Sequence, residues 1–123
     1  GLQCGQTGHA RSGYVASVAC FSGGQLGNPK TQDPNNKYPA LLVHNGPEDW
    51  FIVYFKTTQE EYKARLDDEG HFAVFCEILS ERADPASNIY LSAWQFLKDH
   101  PYGADPEPYA EGLPETFPDS CIY

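Results

Sequence analysis

Residues 37–79 read KYPALLVHNGPEDWFIVYFKTTQEEYKARLDDEGHFAVFCEIL, and this stretch contains three segments whose patterns predict strands. Residues 50–55 are six consecutive apolar residues, mostly aromatic or β-branched, as in a strand that is buried on both faces. Residues 61–67 alternate apolar and charged side chains, and residues 71–79 place an apolar set on one face. A loop at 68–70 would join them as a hairpin, since its last residue is glycine. The stretch therefore predicts a twisted antiparallel sheet with one apolar and one charged face.

Two helices are expected beside this sheet. Residues 9–21 predict the first, because four apolar residues recur there at helical spacing, although residues 13–21 (GYVASVACF) also fit a strand. An Asp-Pro pair predicts the start of the second, over residues 85–98, although the run IYLSAWQFL within it also fits a strand. One shared face of that second helix carries Tyr90, Ala93, Trp94 and Leu97.

The remaining segments complete a single predicted domain, 1–123. Residues 38–44 (YPALLVH) predict a short edge strand, since a proline near the start removes a hydrogen-bond donor that an edge tolerates. Five prolines among acidic residues predict an extended tail that Cys121 ties down. The domain divides into an N-terminal loop, helix and surface loop (1–36), the antiparallel sheet (37–80), a helix (81–100) and the acidic tail (101–123).

Four cysteines are spread along the chain, with no Cys-x-x-Cys pair and no zinc-ligand spacing. They are therefore expected to form two disulfides in an oxidising compartment. Cys76 lies on the predicted apolar face of the sheet, and Cys20 lies near the end of the first predicted helix. The expected bridges are therefore Cys20–Cys76 and Cys4–Cys121.

Composition narrows the classes of function. The formal net charge is −9, with eight Lys and Arg residues, so the chain as a whole is repelled by nucleic acid. No apolar run approaches the roughly 18 residues of a membrane span, and the first residues lack the features of a signal peptide. The expectation is a secreted monomer whose leader has been removed, with no cofactor, no metal and no membrane partner.

The pattern of these features resembles a known family. A cysteine near each end, Tyr38 and Pro39 entering the sheet, and Arg65 on a later strand resemble the fungal guanyl-specific ribonucleases. The chain more closely resembles their non-catalytic relatives, the ribonuclease-like secreted effectors of plant-pathogenic fungi. The resemblance covers about residues 4–80 plus Cys121. It implies an α+β fold of the microbial ribonuclease type, with an N-terminal helix packed on a twisted antiparallel sheet and two disulfides.

The positions that carry catalysis in that family differ here. Ala40 stands where the first catalytic histidine belongs, and the second falls near Glu77 or Ile78, while Asp49 stands for the family's glutamate. This ribonuclease chemistry needs one group to accept a proton and another to donate one. The resemblance therefore implies no catalytic residue and no ribonuclease activity.

What remains is a cleft face on which binding residues are expected. Its candidates are Tyr38, Lys63, Arg65 and Glu77. Ordinary structural roles compete with that interpretation, because charged residues on a strand commonly form solvated pairs and a tyrosine commonly packs. If the chain were an active ribonuclease, its acid and base would come from His44 or His71 with Asp49.

The expected function is therefore that of a non-catalytic secreted virulence effector of a plant-infecting fungus. It would be delivered to host tissue or cells, bind a host plant protein, and be open to recognition by an intracellular immune receptor, with only weak binding of RNA. The alternatives are an active secreted ribonuclease and an unrelated cystine-stabilised binding protein. Two histidines with a carboxylate between them in the cleft would contradict the non-catalytic interpretation.

Overall fold

The computed structural model describes residues 2–27, 31–46, 54–78 and 89–123. Within these ranges the protein has an α+β fold with two disulfides, as predicted. The elements in chain order are α1 (Leu2–Ala10), β1 (Val18–Phe21), β2 (Ala40–Asn45), α2 (Phe55–Asp68), β3 (Ala73–Ile78), α3 (Ile89–Asp99) and β4 (Cys121–Ile122). None of the helices in the described ranges is long and apolar enough to span a membrane.

The sheet is mixed rather than antiparallel, which corrects the sequence prediction. Its order is β1-β2-β3-β4, with β1 parallel to β2, β2 parallel to β3, and β4 antiparallel to β3. Parallel neighbours need a crossover connection, and α2 lies between β2 and β3 in the chain. The predicted edge strand at 38–44 is therefore an interior strand, Ala40–Asn45, between β1 and β3.

The segment 61–67 is helical, so its prediction as a strand was wrong. Tyr62 and Leu66 are four residues apart and face the core together, whereas their neighbours face outward. A run this short that alternates apolar and charged residues fits both the two-residue period of a strand and the 3.6-residue period of a helix. The buried face of α2 also includes Thr58 and Gln59. Because these two residues are polar, the sequence shows no apolar helical stripe before Tyr62. Of the predicted strand 50–55, residues 50–53 lie outside the described residues, and Phe55 begins α2.

The turn at 68–70 ends a helix instead of joining a hairpin. Gly70 has a φ of 81°, so its predicted left-handed conformation is confirmed. The amide of His71 donates to the carbonyl of Leu66, and that of Gly70 donates to the carbonyl of Asp67. This pair of bonds is the Schellman motif, in which a left-handed glycine satisfies the last carbonyls of a helix.

The first helix lies earlier than predicted. It spans Leu2–Ala10, whereas the predicted helix at 9–21 contains the strand Val18–Phe21, which confirms the strand alternative for those residues. Its packing depends on small residues. A Cβ on Gly5 would lie 2.8 Å from the carbonyl oxygen of Gly24, so the helix approaches its neighbours along a glycine face that hydrophobic periodicity does not reveal.

Both faces of the sheet are buried, so the charged face expected from the sequence is absent among the described residues. On one side Leu42 and Phe75 pack with Tyr62 and Leu66 of α2. On the other side α3 and the tail cover a second cluster that includes Val74, Cys76, Phe96, Tyr109 and Phe117. The alternation predicted for 72–78 is confirmed, because its two sets of side chains enter these two different clusters.

The disulfides pair differently from the prediction. The bridges are Cys4–Cys20 and Cys76–Cys121. Cys20 belongs to the cluster under α2 and Cys76 to the cluster under α3, so the sheet itself separates these two thiols. Cys121 does anchor the tail, as expected, but it is joined to its register partner on β3.

The second predicted helix is confirmed over Ile89–Asp99, and its Asp-Pro start lies outside the described residues. Its orientation differs from the expectation that one apolar face would group Tyr90, Ala93, Trp94 and Leu97. Only Ala93 of that set is buried, together with Ile89, Ser92 and Phe96. The aromatic residues Tyr90 and Trp94 consequently point away from the core.

Candidate functional site

The residues predicted to line one cleft face are dispersed over the fold. Tyr38 is 1% exposed and lies in the core, so its candidate role as a ligand contact is wrong. Lys63 and Arg65 lie on α2 rather than on a strand, and Glu77 lies on β3. The structure therefore does not assemble these four side chains into one site.

The two basic residues of α2 have structural partners. Lys63 Nζ pairs with Asp67 Oδ2 at 2.7 Å, one turn along the same helix. Arg65 donates to Gln25 Oε1 at 2.6 Å and to the carbonyl of Gly27 at 3.0 Å. Arg65 thus holds the segment after β1 against α2, and the expected phosphate or partner contact is replaced by an internal one.

Tyr38 and His71 belong instead to a buried polar cluster. His71 Nδ1 donates to the carbonyl of Tyr38 at 2.9 Å, and the hydroxyl of Tyr38 lies 3.1 Å from His9 Nδ1 and 3.1 Å from the hydroxyl of Tyr62. Glu69 closes the cluster, because its Oε2 lies 3.5 Å from Nε2 of both histidines. We call His9, Glu69 and His71, with the two tyrosines, the two-histidine cluster.

The cluster joins elements that are distant in sequence. His9 comes from α1, Glu69 follows α2 and His71 precedes β3. Thr31 donates its hydroxyl to Glu69 at 2.6 Å and adds the loop before β2. The Schellman motif fixes Glu69 and His71 on either side of Gly70, which explains why both reach the same space.

Burial dominates the electrostatics of the cluster. Burial lowers the pKa of His9 and of His71, because the charged imidazolium loses its hydration in the interior. The attraction of Glu69 for that charge offsets the loss only in part. Burial also acts to raise the pKa of Glu69, but the Thr31 hydrogen bond and the adjacent histidines outweigh it and lower that pKa. Burial raises the pKa of Tyr62 to about 12 and raises that of Tyr38 further. Both tyrosines are therefore neutral.

Two imidazoles flanking a carboxylate can in principle exchange protons with a substrate, but here the nitrogens are enclosed. The histidine side chains are 0% exposed, and Glu69, at 32%, is the member that reaches solvent. A general base must come within hydrogen-bond reach of its substrate. The arrangement that would contradict the non-catalytic interpretation thus exists, but in the interior and not in a cleft. The cluster instead connects α1, the end of α2 and the segment before β3 through buried polar contacts.

His44 and Glu77, the other two predicted site residues in the described ranges, do come together. They are register partners on β2 and β3. Lys56 in the first turn of α2 pairs with Glu77 at 2.8 Å. His44 is 3% exposed. Asp49, the carboxylate proposed to assist a histidine, lies outside the described residues.

A half-open cleft of about 440 Å³ lies at the amino ends of β2 and β3. Lys37 lines it together with the carboxylates of Asp105 and Glu107, and Phe72 contributes apolar surface. Glu107 already accepts hydrogen bonds from His100 Nε2 at 2.6 Å and from the amide of Tyr109 at 3.1 Å. This cleft has charges of both signs, and Glu107 already binds protein groups. Its lining therefore does not favour one class of ligand.

Among the described residues, the outer side of α3 carries four large apolar side chains that are exposed. Tyr90 is 55% exposed, Leu91 64%, Trp94 67% and Leu97 37%. At 100° per residue these four side chains fall within an arc of about 120° on the helix. We call these four residues the α3 surface. Exposed apolar groups that are contiguous mark interaction sites more often than scattered ones do.

Sequence reasoning missed His9, Glu69 and the exposure of α3. His9 and Glu69 are 60 positions apart (69 − 9), so no local spacing connects them. The α3 surface had a signal, because the helix is apolar around most of its circumference. Burying one face of such a helix leaves apolar side chains exposed on another. Within the described residues no group of three or more His, Cys, Asp or Glu side chains is placed to hold a metal ion.

Comparison with protein-family profiles, with curated proteins and with solved structures finds no match to this chain.

Proposed function

We propose that this protein is a secreted binding protein that acts on another protein through the α3 surface and is not an enzyme. The observation that carries the proposal is the exposure of Tyr90, Leu91 and Trp94 on one side of a helix whose other side is buried. Aromatic side chains at the centre of an interface commonly supply most of its binding energy. Leaving two aromatic side chains and Leu91 in water forgoes the free energy that their burial against a partner would supply.

The α3 surface is ordered enough to act as an anchor. The ring of Tyr90 stacks on Phe21 at the end of β1, with ring centroids 5.3 Å apart and planes 19° apart. On the buried side, Ser92 donates its hydroxyl to the carbonyl of Thr116 at 2.8 Å. A helix that is fixed in this way loses little conformational entropy on binding.

Charge indicates the chemistry of the partner. The hydroxyl of Thr116 donates to Gln95 at 2.7 Å, so the exposed Glu115 beside it lies at the border of the α3 surface. From Asp99 onward the chain has six acidic residues and no basic one. The complementary partner has an apolar pocket with a mainly basic rim and an acidic group opposite the exposed Lys98, which falls within the same arc of α3 as the apolar side chains. A second copy fits poorly, because each copy carries a net charge of −9.

The non-catalytic part of the proposal is supported by burial of the imidazoles. All four histidines of the chain are described, and the exposed fractions of the whole residues, main chain included, are 0% for His9, 3% for His44, 5% for His71 and 0% for His100. Two disulfides are typical of proteins in oxidising compartments, which supports secretion. The partner class, a host plant protein such as an immune receptor, comes from the sequence resemblance to secreted fungal effectors alone, since Arg65 lies on a helix and the sheet is mixed. The ribonuclease-type antiparallel sheet is no part of this proposal.

Photo-crosslinking from the α3 surface tests the binding proposal. A photoreactive phenylalanine replaces Trp94 in one sample and Tyr14 in the other. Tyr14 is the matched control, because it is also 67% exposed but follows α1. In a host plant extract we expect one discrete adduct from position 94 only, which unlabelled protein suppresses and the Trp94→Ala variant does not. Equal adducts from both positions, or an adduct with the mass of two copies of this chain, would overturn the proposal.

One observation favours a second candidate, RNA cleavage, namely the placement of His9 and His71 around Glu69. An RNA cleavage assay decides between a binding protein and a ribonuclease. We expect no turnover by the wild-type protein above that of a His9→Ala, His71→Ala double variant. Turnover that this double substitution abolishes while the protein stays folded would establish the enzyme instead.

A further inference from the structure

The carboxyl ends of three parallel strands meet at one edge of the sheet, where α2 begins. β1, β2 and β3 run in the same direction, and α2 follows β2 in the chain. The amino end of a helix adds unsatisfied amide donors and a partial positive charge, which together favour anions. This edge is therefore the place where a small ligand would be expected on general grounds.

His44 at this edge is buried without a hydrogen-bond partner. Its side chain lies on β2, is 3% exposed, and neither ring nitrogen is bonded to any described residue. A buried polar atom without a partner costs about 1–3 kcal/mol, and native structures rarely contain one without a reason. The carboxamide oxygen of Gln59, which is 0% exposed, likewise has no partner among the described residues.

His44 lies on the face of the sheet that α2 covers, beside the strand residue that contacts the first turn of that helix. Side chains alternate along a strand, and Leu42, two residues earlier, packs in the cluster under α2, so His44 shares that face. Its register partner Glu77 bonds to Lys56 in the first turn of α2. Gln59 donates to the carbonyl of Val43 at 3.1 Å and holds the second turn of α2 directly above β2.

From this geometry we infer a binding site for a small oxyanion, a phosphate or carboxylate group, formed by the amino end of α2, Lys56 and His44. The described N-cap residue Tyr54 makes no side-chain cap bond, and the first turn contains no acidic residue. Lys56 supplies a full positive charge, and His44 supplies a ring N–H donor. Glu77 opposes the anion, because its carboxylate engages Lys56 directly. A cation would face both Lys56 and the positive helix end.

The test is a titration of the intact protein with inorganic phosphate and, separately, with acetate, followed by the ring-nitrogen NMR signals of its histidines. We expect the His44 signals to move with a saturable dependence on the anion while those of His100, on the far side of the sheet, stay fixed. A response to phosphate alone identifies a phosphoryl ligand, and a response to both identifies a general oxyanion site. No saturable change in His44 with either probe would overturn the inference.

Three variants make the assignment specific. Lys56→Met should weaken anion affinity about tenfold or more, the range of one charge-assisted hydrogen bond. Lys63→Met is the matched control, since Lys63 lies on the same helix in an ion pair of similar length, and it should leave the affinity unchanged. Glu77→Gln should tighten binding, because it removes the competing carboxylate. Equal effects of the two lysine variants, or weaker binding in Glu77→Gln with an unchanged melting temperature, would contradict the site.

Discussion

Mild acid should destabilise this protein through the two-histidine cluster. The perturbation is a change from pH 7.5 to pH 5.5, across the ordinary histidine pKa of 6.5. Burial lowers the pKa of His9 and of His71 in the folded chain. Arg65 adds to that effect at His9 and Lys37 adds to it at His71, whereas Glu69 opposes it at both. The unfolded chain therefore binds protons at a pH where the folded chain does not.

The magnitude follows from linkage. Each proton taken up by the unfolded state alone lowers the free energy of unfolding by about 1.4 kcal/mol per pH unit below 6.5. Two such histidines give a loss of up to about 2.7 kcal/mol between pH 7.5 and 5.5, of which about 2.0 kcal/mol falls below pH 6.5. This is a large part of the roughly 5–15 kcal/mol typical of a domain. Glu69 has a lowered pKa, so its contribution is present above its ordinary value of 4.5 and is constant over this range.

The assay is urea denaturation at half-unit pH steps with a second probe, such as circular dichroism, to verify two-state unfolding. We expect a constant free energy of unfolding above pH 7 and a progressive decline below 6.5. A His9→Gln, His71→Gln double variant should be less stable at pH 7.5, because it loses cluster contacts, but its pH dependence should be shallower. A wild-type free energy that is flat between pH 7.5 and 5.5, or that rises on acidification, would refute the reasoning.

Two further predictions concern packing and crosslinks. Gly24→Ala should lower the free energy of unfolding by about 1–3 kcal/mol or more, because its Cβ would lie 1.9 Å from the carbonyl oxygen of Thr58. Gly13→Ala, which meets nothing closer than 3.9 Å, is its control, and equal losses would contradict this account. Replacing both cysteines of the Cys76–Cys121 bridge by alanine should cost about 4 kcal/mol, against about 3 for Cys4–Cys20, by loop entropy for sequence separations of 45 and 16. The reverse order in urea denaturation would show that loop entropy does not dominate.

The sequence could predict the parts of the fold that depend on local patterns. The alternation in β3, the helix at Ile89–Asp99 and the left-handed Gly70 are each determined by a few neighbouring residues. The prediction of an extended tail was wrong, because residues 101–120 form successive turns that place Tyr109 and Phe117 in the core. The strand direction was not predictable in this way. It depended on whether 61–67 is a strand or a helix, and that segment alternates so evenly that tertiary packing decided it.

The candidate sites likewise combine residues that the sequence pattern could indicate with neighbours that only tertiary packing brings together. His44 and Glu77 were singled out separately, but only the parallel register between β2 and β3 makes them neighbours. The two-histidine cluster needed α1 to pack beside the end of α2, which depends on glycines that carry no hydrophobic signal. The apolar residues of α3 were recognised from their spacing. Which of its faces meets the sheet followed from how Phe96 and Ile89 fit the core beneath it.

The central claim, that this protein binds a partner protein through the α3 surface, is tested most directly by comparing two affinities. Once crosslinking has identified the partner, its dissociation constant is measured by calorimetry with wild-type protein and with the Trp94→Ala and Tyr14→Ala variants. We expect Trp94→Ala to weaken binding at least tenfold, about 1.4 kcal/mol, and Tyr14→Ala to leave it unchanged. Equal affinities for wild type and Trp94→Ala would contradict the claim.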